Sequence, residues 1–451
     1  MKKYQKMLYV TQVNDVSKRN TTNKMQERKQ CMVKLLIIAD DFTGALDTGV
    51  QFAAGGAETR VVTNTEYDFN STESTVQVLV LNAETRHLCR EKAYDIVFRI
   101  AKRAKESGIP FIYKKTDSAL RGNIGSELKA VLDATGRTAL HFLPAFPRMN
   151  RTTRLGNHYV DGIPVHESVF GKDPFEPVIC SSIPQMLAPV VPVTVVTEIR
   201  NWELTPGVMV YDAGSDEELL EKGRFLMEKD ELHLIAGCAG FAGVLPSLLG
   251  LQGKKESPVC LDERLFVACG SVNPITKSQL DYAELHGFAR IRMTPEQKLE
   301  QSFYETIEGK NVLKKWKQLA AANPCCIIDT NDMPGQSETL EYARMHGITK
   351  EELRIRISTT LGYIVKELMQ LGLKGTLLIT GGDCLLGFMK HIGCEVIVPV
   401  CEMAPGTVLS EVEINGRRLG VLSKSGGFGA ETLLVELAER VNGKEKERKI
   451  C

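Results

Sequence analysis

Charged and hydroxyl-bearing residues crowd one short segment of the sequence, where an apolar run gives way to a helix-like pattern. Lys115, Thr116, Asp117, Ser118 and Arg121 stand together there. A plain capped helix does not need an ammonium, a carboxylate and a guanidinium side by side. A small anion that carries hydroxyl groups does, because each of these groups can bind or orient part of it. The segment therefore indicates a site for a polyhydroxylated anion.

Two other apolar runs end in side chains that suit the same site. The first ends in Asp40 and Asp41, whose adjacent carboxylates point in different directions. One can face a ligand while the other caps the following helix. The second run ends shortly before Arg86, and a guanidinium can bind a carboxylate through two hydrogen bonds. A surface salt bridge would explain Arg86 equally well.

A fourth segment combines prolines, an aromatic residue and the two guanidinium groups of Arg148 and Arg151. Its composition predicts a rigid, polar wall beside the site. His158 and His166 follow it, and a lone histidine is more often structural than catalytic.

The second half of the sequence carries three glycine-rich turns, each directly after an apolar run. They are 269–273, 380–383 and 425–429. Backbone N–H groups at such turns suit phosphate, so three of them in one half indicate a nucleotide pocket. The sequence has no GxxxxGK[ST] and no GxGxxG after a strand. This excludes a P-loop and disfavours a dinucleotide-binding Rossmann site.

Apolar runs alternate with helix-length segments along the whole chain, which predicts an α/β fold with mainly parallel sheets flanked by helices. Hydrophobicity within the runs is continuous, as in strands that are buried on both faces. Helices are expected at 90–106 and 359–371. Strands are expected at 34–39, 76–81, 110–114, 139–143, 208–212, 232–236, 264–269, 325–329, 376–380 and 396–400.

A chain of 451 residues is too long for one compact core, so two domains are expected. The polar segment 251–263 is the predicted boundary, which gives domains at 33–250 and 264–441. Their active site is expected in the cleft between them. Residues 1–32 are basic and polar without an apolar period, and they are predicted to be a disordered N-terminal extension rather than a signal peptide.

Composition favours small-molecule chemistry. Lys plus Arg and Asp plus Glu both number 56, so neither nucleic acid nor a membrane surface is an expected partner. Twelve cysteines without a CxxC pair favour reduced thiols and a cytoplasmic location. Enzymes of this class and size are often dimers, so a homodimer stays open.

A site for an anion with hydroxyl groups in one half and a phosphate site in the other describe a small-molecule kinase. The sequence resembles the four-carbon acid sugar kinases over about 33–441, and its 114–125 string, KKTDSALRGNIG, is most similar to the D-threonate and D-erythronate kinase branch. Five motifs carry the resemblance: IIADDFTGALDTGVQ, YKKTDSALRGNIGSEL, PAFPRMNRTTRLGNHYVDG, LITGGD and SKSGGFGAETL.

The resemblance implies ATP-dependent phosphorylation of the C4 hydroxyl of a four-carbon sugar acid, with Mg²⁺ on the nucleotide. D-threonate is the first expected substrate, and D-erythronate or another tetronate is the alternative. The first domain would bind the acid sugar and the second ATP. Positions that match the family's substrate-binding residues are Asp40, Arg86, Lys115, Thr116, Asp117 and Ser118. Positions that match its nucleotide-binding residues are Ser271, Gly381, Gly382, Asp383 and Gly427.

Roles follow as hypotheses. Arg86 would hold the substrate carboxylate, while Lys115 and Ser118 would bind the middle hydroxyls. Asp40 would orient or deprotonate the C4 hydroxyl, and Asp117 is the alternative base. The protein ligands of Mg²⁺ are not assigned by the sequence.

Rival functions find less support. A sensor that binds the sugar acid without using ATP would not need the glycine turns. A phosphatase of the haloacid-dehalogenase type would carry its nucleophilic Asp where Ala39 stands. An aldolase would need a lysine isolated in an apolar strand, and none is evident.

Overall fold

The structure is a computed structural model, and it describes residues 33–173, 176–253, 259 and 261–442. The predicted N-terminal extension and part of the predicted linker lie outside the described residues. Within the described residues, no helix is long and apolar enough to cross a membrane.

The described residues form eighteen strands and fourteen α-helices, with short 3-10 helices between some of them. The strands are β1 (Leu35–Ala39), β2 (Thr59–Val62), β3 (Val78–Asn82), β4 (Phe111–Lys115), β5 (Ala139–Leu143), β6 (Arg151–Arg154), β7 (Asn157–Val160), β8 (Ile163–Pro164), β9 (Val193–Val196), β10 (Gly207–Tyr211), β11 (Leu234–Gly237), β12 (Leu265–Cys269), β13 (Ala289–Arg292), β14 (Cys325–Asp329), β15 (Thr376–Thr380), β16 (Val396–Ala404), β17 (Thr407–Ile414) and β18 (Arg417–Lys424). The helices are α1 (Phe42–Ala53), α2 (Arg90–Glu106), α3 (Ile124–Thr135), α4 (Ile183–Leu187), α5 (Asp216–Glu228), α6 (Ala239–Ala242), α7 (Leu245–Leu248), α8 (Pro274–Leu285), α9 (Pro295–Leu299), α10 (Ile307–Ala322), α11 (Glu338–Met345), α12 (Lys350–Gln370), α13 (Gly382–Ile392) and α14 (Leu433–Val441).

The α/β prediction is confirmed. In the first half, eight parallel strands lie in the order β2-β3-β1-β4-β11-β5-β10-β9. Strand β1 is buried on both faces, because Leu35 and Ile37 belong to one hydrophobic core and Leu36 and Ile38 to another. This burial is the physical reason for the continuous apolar runs in the sequence.

The two halves share one sheet, whereas the sequence predicted a sheet in each domain. Strands β13, β14, β12, β15 and β18 are parallel, and the antiparallel strands β17 and β16 then connect them to β2. Without β16, strand β2 would be an exposed edge with unpaired backbone groups. Pairing of β2 with β16 covers this edge and makes a single sheet of fifteen strands.

Because three antiparallel steps separate the halves, β1 and β15 run in opposite directions. In a flat sheet, the carboxyl ends of their strands would therefore lie at opposite edges. Six strand-to-strand steps separate β15 from β1, and at about 20–25° of twist per step they accumulate roughly 120–150°. The β16–β17 pair also contains two bulges, which increase the local twist. The twist thus turns the two sets of strand ends towards each other.

Element boundaries follow the predictions closely where hydrophobicity is continuous. Strands β5, β14 and β15 and helix α2 coincide with the predicted ranges. Strand β16 continues to Ala404, and α12 begins at Lys350, ahead of the predicted start at 359. Strands β2, β6–β9, β13 and β17 were not predicted, because they are short, partly exposed or paired in an antiparallel hairpin. Strand β18 was expected only as the apolar run before the third glycine turn.

Eight described cysteines are free thiols, whereas Cys401 is disulfide-bonded. The expectation of reduced thiols is therefore wrong at Cys401.

Candidate active site

The carboxyl ends of three neighbouring strands bring the predicted acid-binding residues together. Strand β1 pairs with β3 on one side and with β4 on the other. Asp40 therefore lies between the segment that carries Arg86 and the segment that begins at Lys115. Parallel neighbours end at the same edge of a sheet, so sequence positions far apart become one site.

Arg86 forms ion pairs with both carboxylates at the end of β1. Its Nε lies 2.7 Å from Oδ2 of Asp40, and its Nη2 lies 2.6 Å from Oδ1 of Asp41. A third carboxylate oxygen, on Asp117, is 3.6 Å from Nη2. The guanidinium that was expected to hold a substrate carboxylate is thus shared among carboxylates of the protein.

Asp40 keeps one oxygen free. The residue is 2% exposed, and its Oδ2 accepts from Arg86 while its Oδ1 has no hydrogen-bond partner. Burial raises the pKa of Asp40, but the positive charges of Arg86 and the neighbouring lysines outweigh burial and hold the pKa below its ordinary value. An ionised carboxylate with an unpaired buried oxygen is suited to accept a hydrogen bond from a ligand hydroxyl.

The adjacent carboxylate, Asp41, caps a helix instead of facing the site, as the sequence predicted for one member of the pair. Oδ1 of Asp41 accepts from the backbone N of Gly44 at 3.0 Å, and Asp41 is the N-cap of α1. Asp41 therefore starts the helix while Asp40 faces the site.

Asp117 is held on both oxygens. It accepts from Nε and Nη2 of Arg121, both at 2.9 Å, and from the backbone N of Ala119 at 3.1 Å. Burial raises the pKa of Asp117, yet the charges of Arg121 and Arg86 lower it far more, so the pKa lies well below the ordinary range. These contacts fix the turn after β4 and leave the carboxylate little freedom to accept a proton.

The rest of this turn offers groups for hydroxyl binding. Nζ of Lys115 donates to the Thr116 carbonyl at 2.7 Å, and no carboxylate among the described residues lies within ion-pair distance of it. The Thr116 hydroxyl is buried without a partner. The Ser118 hydroxyl accepts from Nη1 of Arg151.

The predicted polar wall is only half right. Arg148 points outwards and pairs with Asp216 at 2.6 Å, whereas Arg151 is 5% exposed and points towards Ser118. Sequence reasoning named both arginines without distinguishing them. Arg148 lies in the 3-10 helix Pro147–Met149, whereas Arg151 is the first residue of β6.

Both histidines of this region are structural, as expected. The ring of His158 bonds to the Ser118 carbonyl at 2.9 Å and to the Thr153 hydroxyl at 3.2 Å. Burial lowers its pKa to about 4, so the ring stays neutral. His166 bonds to the Ser181 hydroxyl at 2.7 Å.

The three glycine-rich turns of the second half also come together. They follow β12, β15 and β18, which are adjacent in the sheet. Gly381 lies near the backbone of Ser271, and the Gly426 carbonyl accepts from the Thr276 hydroxyl at 2.8 Å. Gly427 lies beside Asn273. The turns therefore line one edge of the sheet and expose backbone rather than side chains.

Gln279 and Lys424 are site residues that the sequence analysis did not single out. Nε2 of Gln279 donates to the carbonyls of 428, 429 and 430 at 2.9–3.1 Å and so fixes the third turn. Nζ of Lys424 donates to the Ser425 carbonyl at 2.9 Å, and burial lowers its pKa to about 8. Among the described residues, no carboxylate pairs with Lys424. Its place directly before a glycine turn was the available signal.

The two sites meet at Gly382 and Thr43. A Cβ atom added to Gly382 would clash with Oγ1 of Thr43 and lie 3.1 Å from the Thr43 backbone N. Thr43 is in the first turn of α1, two residues after Asp41. The second glycine turn thus touches the acid site beside Asp40.

Acidic residues from both halves are near enough at this junction for their charges to interact, and Asp383 also lies 3.4 Å from Nη1 of Arg354. Burial raises the pKa of Glu84 to about 7, and the negative charges of Asp383 and Asp41 contribute to the rise. No group of three or more His, Cys, Asp or Glu that could hold a metal occurs in the described part of the chain. Mg²⁺ in nucleotide sites needs only one or two carboxylates besides phosphate and water, so these donors fit it.

Two family models match the chain and together cover most of it. One, described as a sugar-binding N-terminal domain, matches residues 35–245, and the other, described as a nucleotide-binding C-terminal domain, matches residues 266–434. These halves correspond to the side-chain site and to the glycine turns.

Curated relatives match over nearly their whole length. A D-threonate kinase of Salmonella typhimurium (strain LT2) is 29% identical over 426 residues, which are 90% of this chain and 97% of the relative. A D-erythronate kinase of Heliobacterium modesticaldum is 24% identical, with 83% and 89% covered. A solved structure from Salmonella typhimurium LT2 shares the fold with a TM-score of 0.72 and 19% identity, over 89% of this chain and 98% of that one. The chain belongs to the four-carbon acid sugar kinase family, whose members are ATP-dependent phosphotransferases.

Proposed function

We propose that this protein transfers the γ-phosphoryl group of ATP to the C4 hydroxyl of a four-carbon sugar acid, with D-threonate as the first substrate. The contact between Gly382 and Thr43 carries the proposal. It joins a phosphate-type turn to a pocket in which Asp40 holds a free carboxylate oxygen. A relative named D-threonate kinase that is 29% identical supports the choice of acid.

Asp40 is the proposed group that orients the C4 hydroxyl. Its Oδ1 is unpaired, whereas both oxygens of Asp117 are bound by Arg121 and by backbone N–H groups. A lowered pKa makes Asp40 a weak base, which suits phosphoryl transfer, because positioning matters more in this reaction than proton removal before transfer. Asp117 is the alternative base of the sequence analysis, and its contacts support a positioning role instead.

Arg86 is proposed to act on the substrate site through Asp40. Its ion pair with Asp40 keeps that carboxylate ionised and fixes its direction. Lys115, Thr116 and Ser118 are proposed to bind the middle hydroxyls, because their ammonium and hydroxyl groups lie along one buried turn. Arg121 holds this turn through Asp117.

The nucleotide is proposed to lie on the three glycine turns. Ser271, Gly381, Gly382 and Gly427 would present N–H groups to its phosphates. Lys424 would add a positive charge, and this charge lacks a carboxylate partner in the described structure. Mg²⁺ would be held on the side of Asp383 and Glu84, and it would neutralise charge that develops on the phosphates.

The two halves, 33–250 and 264–441, are proposed as the acid-sugar domain and the nucleotide domain. Use of ATP and the eight free thiols of the described residues, against one disulfide-bonded cysteine, Cys401, support a cytoplasmic location. A homodimer is retained as a proposal from the size and class of the enzyme.

A substrate panel tests the function. ADP release is measured with ATP and Mg²⁺ against D-threonate, L-threonate, D-erythronate and L-erythronate, and D-glycerate is the short control. A clear preference for one four-carbon acid is the expected result, with D-threonate preferred. Binding of ATP without turnover of any of these acids would contradict the proposal and point to another acid.

D-erythronate is the second candidate, because a relative that carries that activity in its name also matches most of the chain. Threonate and erythronate differ at one carbon centre, and the placement of a few buried hydrogen-bonding groups decides between them. A higher kcat/KM for D-erythronate in the same panel would favour this second candidate.

A further inference from the structure

Arg151 is a buried cation without an anion. It is 5% exposed, and among the described residues no carboxylate lies within ion-pair distance of it. Its Nη1 donates to the Ser118 hydroxyl, and its Nε has no hydrogen-bond partner. Arg86 and Arg121, the other two arginines of the pocket, have side chains that are 12% and 24% exposed, and each pairs with carboxylates. Of these three arginines, Arg151 is thus the one without a carboxylate partner among the described residues.

Two aromatic rings enclose the guanidinium. Its carbon lies 5.2 Å from the ring centre of Phe170 and 5.0 Å from that of Phe428. Phe170 belongs to the first half, whereas Phe428 lies in the third glycine turn. Arg151 therefore lies where the sugar-acid pocket meets the nucleotide half, and both rings shield it from water.

Burying a charge costs free energy unless it is paired, and aromatic faces compensate only part of that cost. Burial itself lowers the pKa of Arg151, and the more distant Asp117 restores only part of the shift. A planar guanidinium with a free N–H suits an anion that accepts two parallel hydrogen bonds. A carboxylate or a phosphate meets that requirement.

The position of Arg151 distinguishes these two anions. Under the proposed function, the transferred γ-phosphoryl group lies at the junction of Gly382 with Thr43, beside Asp40, whereas Arg151 meets the third glycine turn through the ring of Phe428. The positive charges that act most strongly on Asp40 are those of Arg86, Lys114 and Lys115, whereas Arg151 contacts Ser118, in the turn after β4. In a four-carbon acid, the carboxylate and the C4 hydroxyl are at opposite ends. A substrate whose C4 hydroxyl lies on Asp40 would extend its carboxylate along this turn towards Ser118.

We propose that Arg151 binds the carboxylate of the acid substrate and so makes the enzyme specific for acids over neutral polyols. This inference rests on the proposed function and assigns to Arg151 the role that the sequence analysis gave to Arg86. The ring of Phe428 covers this carboxylate-binding site from the side of the nucleotide half.

The test compares Arg151→Met and Arg151→Lys with the wild type and with Arg148→Gln. Arg148 is the matched control, because it lies in the same segment but pairs with Asp216 at the surface. Two ligands are used: the preferred acid of the panel and the matching tetritol, in which CH₂OH replaces the carboxylate. Calorimetry gives the dissociation constants, initial rates give kcat and KM, and thermal unfolding reports folding.

For Arg151→Met, the dissociation constant and KM for the acid should rise by about 100-fold, as expected when one partner of a buried charged pair is removed. KM for ATP and turnover of the tetritol should change by less than about threefold, since neither requires the carboxylate contact. Arg151→Lys should recover part of the affinity for the acid, because it keeps the charge and loses the planar fork. Arg148→Gln should behave as the wild type.

Three results would overturn the proposal. Equal losses with the acid and the tetritol would show a structural role for Arg151. A fall in kcat with an unchanged KM for the acid would assign Arg151 to the transferred phosphoryl group. Normal affinity of Arg151→Lys for the acid would show that charge without the guanidinium fork is enough. If Arg151→Met fails to fold, Arg151→Lys decides alone.

The calorimetric measurement of acid binding distinguishes failure of this inference from failure of the proposed function. If the wild type binds the acid without turning it over, the kinase proposal fails. The loss of binding in Arg151→Met then still decides whether Arg151 holds the carboxylate.

Discussion

The two halves of the sheet recognise their ligands with different parts of the chain. In the first half, the strands end in charged side chains. Asp40 and Lys115 are buried, and the side chain of Arg86 is 12% exposed. In the second half, strands β12, β15 and β18 end in glycine turns that present backbone N–H groups. An acid sugar must be distinguished by its hydroxyls and its carboxylate, which requires placed side chains. Phosphates are alike in every nucleotide, so backbone N–H groups are enough.

The difference extends to charge. The first half neutralises most of its buried charges internally, through pairs such as Arg86 with Asp40 and Arg121 with Asp117. In the described part of the second half, the nucleotide edge carries one buried lysine without a carboxylate, Lys424. Substitution of a side chain should therefore impair the first half most, whereas addition of a methyl group should impair the second.

The largest effect is expected at Asp40. Asp40→Asn keeps the size of the side chain and removes the charge that orients the C4 hydroxyl, so kcat should fall by about 10²–10⁴-fold with little change in KM for ATP. Initial rates over both substrates measure this change. Asp216→Asn is the control, because Asp216 pairs with Arg148 at the surface. A nearly normal kcat for Asp40→Asn would show that Asp40 does not act on the hydroxyl.

At the junction of the halves, Gly382→Ala should be the next most harmful change. The new Cβ would clash with the Thr43 side chain and approach its backbone N to 3.1 Å, so the phosphate turn must move away from the acid site. A misplacement of about 1 Å can cost about 10²-fold in rate, and kcat should fall accordingly.

Gly214→Ala provides the control for the junction variant, because the nearest atom to its new Cβ is Oε1 of Glu218 at 3.9 Å. Full activity of Gly382→Ala would mean that the two sites need not touch during catalysis.

Gly427→Ala tests nucleotide binding at the third glycine turn without disturbing the fold. Its new Cβ would meet only Nδ2 of Asn273, at 3.6 Å, so folding and thermal stability should stay unchanged. KM for ATP should rise by about tenfold, because a methyl group would keep a phosphate from close approach to the backbone. KM for the acid should stay unchanged. An unchanged KM for ATP would remove the third turn from the nucleotide site.

The smallest effect concerns pH. Burial lowers the pKa of Lys424 to about 8, and bound phosphates would favour its charged form. ATP affinity should therefore be highest below pH 8 and should fall by a fewfold to tenfold as the pH rises from about 8 to 9.5. Calorimetric titrations at several pH values measure this dependence, and Lys424→Met should abolish it. A wild-type affinity independent of pH across this range would exclude contact between Lys424 and the phosphates.

The same lysine predicts how stability without nucleotide depends on pH. Above pH 8 the unfolded chain, with an ordinary lysine pKa near 10.5, binds the proton more tightly than the folded protein does. The free energy of unfolding should therefore rise between about pH 8 and 10.5 through this residue. Chemical denaturation of the wild type and of Lys424→Met gives this contribution as the difference between their slopes.

The α/β class, most strand positions and the chemistry of each strand end were predictable from the order of residues alone. Continuous apolar runs are a local signal, because strands buried on both faces need apolar residues throughout. The two tasks of Asp40 and Asp41 were predictable for the same reason, since capping depends on adjacent residues. Short or partly exposed strands such as β2 and β17 lack this signal and were missed.

Tertiary structure decided which groups became partners. Arg86 and Asp40 are 46 positions apart and meet because β3 and β1 are neighbours. The joining of both halves into one twisted sheet placed Gly382 on Thr43. Arg151 could be distinguished from Arg148 only once the direction of its side chain was known. Residue types thus set the available chemistry, whereas strand order and twist set the distances, because electrostatic and hydrogen-bond energies depend on separation in space rather than along the chain.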